Sequence, residues 1–77
     1  MFDIWFCKYN EVVKDDYNLE YLKLIFKDVK EQELNNYIKF ICDDLKYSNY
    51  KIINKYYVKL DEKYMLFICE SEEDDNA

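Results

Sequence analysis

A small α+β fold, two helices laid on a three-stranded sheet in the order β-α-α-β-β, is what three features of the 77-residue chain predict. An alternating aromatic segment comes first, two stretches of helical period follow, and a long alternating hairpin comes last. The first segment, MFDIWFCKY, sets Phe2, Ile4 and Phe6 on one side and Trp5, Cys7 and Tyr9 on the other, so both faces of this strand are apolar. NEVVKDDYN then supplies turn formers, with Asp15, Asp16 or Asn18 suited to accept from free N–H groups at a helix start. From Leu19 the period changes: Leu22, Ile25, Phe26 and Val29 recur as i, i+3, i+4 and i+7, the spacing of a helix face.

Leu34, Ile38, Ile41, Cys42 and Leu45 form a second helical stripe. At about 100° per residue it lies more than a quarter-turn around from the first, so one straight helix would aim its halves at different cores. A break is therefore expected in KDVKEQE, where Lys27 and Lys30 suit a helix C-terminus and Glu31 and Glu33 the next N-terminus. The second helix runs to about Tyr47. The hairpin occupies Tyr50 to Glu70, and a two-residue loop at Asp61 and Glu62 would set Val58 opposite Met65, Tyr56 opposite Phe67 and Asn54 opposite Cys69. That face, with Ile52 and Leu60, would lie under the helices. A loop one residue longer reverses the facings on one strand. Residues 1–70 then make a single domain and residues 71–77 an acidic, disordered tail.

Composition narrows the function by what is missing. Gly, Pro, His, Arg and Thr are absent while Lys, Asn, Ile, Tyr and Phe abound, the residue set of AT-rich codons and hence of a low-GC bacterium, its mobile elements or an AT-rich virus. Without His there is no side chain that titrates near neutrality at its ordinary pKa; without Gly there is no phosphate-cradling loop; without Arg there is no bidentate fork. A non-enzymatic protein is expected. Cys7, Cys42 and Cys69 each sit within an apolar run and form no C-x-x-C pair, so they read as buried reduced thiols, with no metal and no cofactor expected. No basic leader and no apolar run of membrane-spanning length occurs, which places the protein in the cytoplasm of the producing or infected cell.

What remains is binding. The net charge is −6, and acids concentrate at Glu70, Glu72, Glu73, Asp74 and Asp75, with body pairs at Asp15–Asp16 and Asp43–Asp44. These residues are candidates for electrostatic steering toward a basic partner. Lys51, Lys55 and Lys59 recur along one predicted strand, but Glu72 would lie opposite Lys51 and Glu70 diagonal to Lys55, and with no Arg and a net negative charge no direct nucleic-acid contact is expected. Aromatic residues make up 19% of the chain, more than two helices on one side of three strands can cover. The uncovered face would show Trp5, Cys7 and Tyr9, or else Phe2, Ile4 and Phe6, together with Ile53, Tyr57, Tyr64, Leu66 and Ile68, a large apolar contact surface. Trp5, Tyr9, Tyr57 and Tyr64 are its candidate anchors.

In size, charge and codon bias, though through no motif, the chain is similar in class to the small acidic proteins that phages encode to block host defences, anti-CRISPR proteins among them. That likeness implies an inhibitor of a larger, basic, nucleic-acid-handling protein. A homo-oligomeric interaction module, such as a homodimer, is the alternative expectation.

Overall fold

The structure, a computed structural model, describes residues 1–14 and 16–71. Five strands, β1 (Phe2–Val13), β2 (Asp16–Val29), β3 (Lys51–Ile52), β4 (Tyr57–Lys59) and β5 (Tyr64–Glu70), form one antiparallel sheet in the order β2-β1-β5-β4-β3. A 3-10 turn at Glu31–Glu33 leads into the single α-helix among the described residues, α1 (Leu34–Asp44). The expected β-α-α-β-β arrangement of two helices on three strands is thus overturned: the first helix is a strand, and the predicted hairpin contains an additional short strand.

The pairing of β1 with β2 explains why a strand carries a helical signature. Lys8, Phe6, Ile4 and Phe2, two residues apart on β1, face Glu20, Lys23, Phe26 and Val29, three residues apart on β2. Each such step on β2 therefore contains one extra residue, and the register shifts accordingly. A strand bulged at every step acquires a period of three, close enough to 3.6 to read as a helix face. Leu22, which a helix would bury with Ile25, is one of the extra residues and is 48% exposed. Asp28, another, has φ 57°, and its N–H donates to Asp3 Oδ1 at 3.1 Å. Before the bulges begin, Tyr17, Leu19 and Tyr21 alternate strictly, facing Glu11, Tyr9 and Cys7.

α1 covers one face of the sheet. Its buried stripe, Leu34, Ile38, Ile41 and Cys42, is the one the sequence predicts, and it packs on Phe2, Ile4, Val58, Leu66 and Ile68. The helix ends as a Schellman motif built without glycine: Tyr47 N–H donates to Cys42 O at 2.8 Å and Lys46 N–H to Asp43 O at 3.2 Å. Lys46 adopts φ 63° to allow this. A side chain there clashes with the backbone, so Lys46→Gly is expected to stabilise the fold by about 1 kcal/mol. Thermal denaturation should show it as a rise of roughly 4–8 °C.

The predicted hairpin differs in two ways. Asn54 Oδ1 accepts from the N–H groups of Tyr56 and Tyr57, turning the chain so that β3 and β4 pair with each other, Lys51 opposite Lys59. The three lysines therefore do not line one strand, and Lys55 lies in the turn, 3.2 Å from Glu31. At the second turn Leu60 N–H donates to Tyr64 O at 3.0 Å, which leaves Asp61, Glu62 and Lys63 as a three-residue loop. Val58 consequently pairs with Leu66 and Tyr57 with Phe67, one residue away from the two-residue-loop register.

Candidate protein-binding face

The sheet face away from α1 carries the aromatic candidates, and the register decides which. On β1 the odd residues Trp5, Cys7 and Tyr9 point there. With the longer loop, Met65 and Phe67 of β5 and Tyr57 of β4 join them, while Tyr64, Leu66 and Ile68 turn to the helix side. Three of the four expected anchors, Trp5, Tyr9 and Tyr57, thus share this face. Tyr64 does not: it stacks on Phe6 at 5.1 Å, against the helix-side core.

β2 supplies ring members that the helical reading concealed. Tyr9, Tyr17, Tyr57, Phe67, Tyr21 and Trp5 form an unbroken chain of neighbouring rings, with successive centroids 5.5, 5.3, 5.5, 5.9 and 5.4 Å apart. The rings meet tilted or edge-on, the arrangement their quadrupoles favour. The alternation of Tyr17 and Tyr21 was the available sign of this, and the i, i+3, i+4 pattern starting next to them obscured it.

One contact in this chain reports the shape of the sheet. Tyr17 and Tyr57 belong to β2 and β4, which β1 and β5 separate by about 14 Å in a flat sheet. Their rings nevertheless lie 5.3 Å apart. The sheet curls toward this side, and the rings close over Cys7 and Met65, both 0% exposed, to make a second small core. Thioether and thiol sulfur beneath aromatic rings is a favourable packing. The contact surface is therefore narrower than the sequence predicts, because part of the apolar face seals itself. What stays accessible is the outer side of the ring chain: Tyr21 is 54% exposed, and Trp5, Tyr17, Tyr57 and Phe67 are half-buried.

Polar groups fix the rim. Tyr9 Oη donates to Asp61 O at 2.7 Å, and Lys59 Nζ lies 5.9 Å from the centre of the Tyr9 ring. Lys59 is held protonated above its usual range, chiefly by its hydrogen bond with Tyr9. Burial pushes the Cys7 thiol up to about 11, with Cys69 adding to the effect and a Phe67 backbone hydrogen bond opposing it; burial raises Cys69 as well. Cys42, on the helix side, is pushed up to about 11 by burial and then by Asp43. All three stay neutral thiols near pH 7 and are poor nucleophiles there. Among the described residues no group of three or more His, Cys, Asp or Glu could hold a metal ion.

The acidic candidates do not converge. Asp16 pairs with Val13 at the tip of the β1–β2 hairpin, and Glu70 pairs with Phe2 at the opposite end of β1. Asp43 and Asp44 end α1, where the negative pole of the helix opposes them and the last turn holds no basic residue. Asp15, Glu72, Glu73, Asp74 and Asp75, with the rest of the expected tail beyond Ser71, lie outside the described residues. Ser71 itself is tied to the body, its N–H donating to Met1 O at 2.9 Å and its hydroxyl to Asp3 Oδ1 at 2.6 Å.

On the helix side a cleft of about 350 Å³ separates β2 from α1, lined by Phe6, Ile25, Phe26, Phe40 and Ile41 with Lys23 and Asp44. No helix of the described residues is long and apolar enough to cross a membrane. Comparison with protein-family models, with curated proteins and with solved structures finds no match to this chain.

Proposed function

We propose that the protein is a non-enzymatic binding protein of the cytoplasm, whose aromatic sheet face grips a larger, basic, nucleic-acid-handling protein in the manner of a phage-encoded inhibitor. The observation that carries this reading is the six-ring chain. It crosses four strands, stays partly accessible, and has no helix over it among the described residues. Tyr and Trp supply large contact area at small cost in side-chain entropy and are the residues that energetic centres of interfaces favour. Tilted rings that bury one another's faces suit a protein surface better than a base-stacking platform, which needs flat faces presented outward. The net charge of −6 supports a basic partner, since long-range attraction speeds encounter while the apolar contact sets the lifetime.

Tyr57→Lys tests the reading, because it places a charge at the middle of the ring chain while the lysine stem can still lie over Met65. The variant is expected to retain its circular dichroism spectrum and to lose capture of the basic partner in a pull-down from the native cell. Capture by the wild type should weaken with added salt. Equal capture by both proteins, or a captured set without any nucleic-acid-handling protein, would overturn the proposal.

A further inference from the structure

We propose that two copies of the chain pair antiparallel through β2, joining their sheets into one across a two-fold axis near Tyr21 and Leu22. β2 is the outermost strand of the sheet and runs 14 residues, so its outer edge offers backbone donors and acceptors, regular from Asp16 to Tyr21 and interrupted by extra residues after it. Its charges are arranged for a second copy of itself. Asp16 and Glu20 occupy the first half, and Lys23 and Lys27 the second, all four of them exposed. Both oppositely charged pairs share one midpoint, between Tyr21 and Leu22. Antiparallel pairing about that point sets Glu20 opposite the partner's Lys23, twice; Asp16 and Lys27 match in spacing only, because a second extra residue, at Ile25, turns them to opposite faces. Asp28 breaks the charge pattern, but it lies near the far end of β2 and its N–H is held by Asp3.

In an unbulged strand this pairing would fail, since residues three apart point to opposite faces. Here the extra residue at Leu22 corrects the parity. Glu20 and Lys23 pair with Lys8 and Phe6, both even positions of β1, and therefore share the helix-side face. Leu19 and Leu24 pair with Tyr9 and Trp5, both odd, and share the ring-bearing face, so each leucine meets its counterpart across the axis on the same side. Edge lysines often guard against strand addition. A guard repels its own copy, whereas acids in one half and lysines in the other attract it.

Sedimentation equilibrium, with concentration varied, reads the result. The wild type is expected at twice the 9.6 kDa mass of one chain. Glu20→Lys and Lys23→Glu each set like charges across the axis, and each should sediment at the mass of one chain with an unchanged circular dichroism spectrum. Mixed in equal amounts, these two variants should regain the doubled mass, because every facing pair is again opposite in sign. The double variant Glu20→Lys/Lys23→Glu should regain it alone. A monomeric wild type, or single variants that dimerise as well as the wild type, would overturn the proposal.

Discussion

Leu66→Ala is expected to cost about 3 kcal/mol, much of what a single core of this size supplies. Leu66 is 0% exposed at the centre of the sheet, paired with Phe6 on one side and Val58 on the other, and it faces α1. Truncation there removes apolar atoms and leaves a cavity that neither neighbouring strand can collapse to fill. Leu22→Ala is the control, because the same chemical change at a residue 48% exposed in the single chain should stay within about 0.5 kcal/mol when both variants are unfolded at concentrations below self-association. Urea unfolding of both variants at equal slope reads the two numbers. A helix over Leu19 to Val29 would bury Leu22 and raise its cost to that of a core leucine, so the control also tests whether β2 is a strand.

Asp61→Ala is expected to destabilise by about 2 kcal/mol, since it strips the loop between β4 and β5 of its organiser. The Asp61 carboxylate accepts from the N–H groups of Lys63 at 2.7 Å and Tyr64 at 2.8 Å, and the Tyr47 hydroxyl bonds to it as well. Partial burial works to raise its pKa, but these hydrogen bonds and the Lys63 charge outweigh it, so the carboxyl lies below its ordinary 3.8. A carboxyl whose pKa is depressed by folding adds stability that is fully present above the unfolded value and is lost as pH falls through the folded one. The gap between wild type and Asp61→Ala should therefore be full at neutral pH and narrow progressively below pH 3.8. Asp61→Asn, which keeps an acceptor for the two N–H groups, should lose less at neutral pH and show a flatter acid limb. Denaturant titrations across that range measure both.

Where each element answered to a local rule, the chain could be read directly. β1 showed two apolar faces because both are in fact covered, one by α1 and one by the aromatic rings. α1 showed its buried stripe from Leu34 to Cys42 because nothing disturbs its period. β2 could not be read in this way, since its period belongs to its bulges, and a bulge exists only against the strand it pairs with. The loop at Asp61 failed for a similar reason. Without an Asn-Gly signal the choice between two and three residues rests on hydrogen bonds from Tyr9 and Tyr47, which arrive from strands and loops remote in sequence. That single residue moved Tyr64 to the helix side and brought Phe67 into the ring chain, so the error in the candidate site follows from the error in the loop.

β5 is the last strand of the described chain, yet it lies in the middle of the sheet, hydrogen-bonded to β1 on one side and β4 on the other. During synthesis the β1–β2 hairpin emerges early and then waits with the inner edge of β1 open, showing Ile4, Phe6 and Cys7, until Tyr64 to Glu70 arrive to fill it. At roughly 5–20 residues per second that wait lasts several seconds. A nascent chain in this state has a vacancy shaped for a strand, and a neighbouring chain on the same messenger carries the strand that fits. The yield of correctly closed protein should therefore depend on how densely ribosomes load the message as much as on the stability of the finished fold.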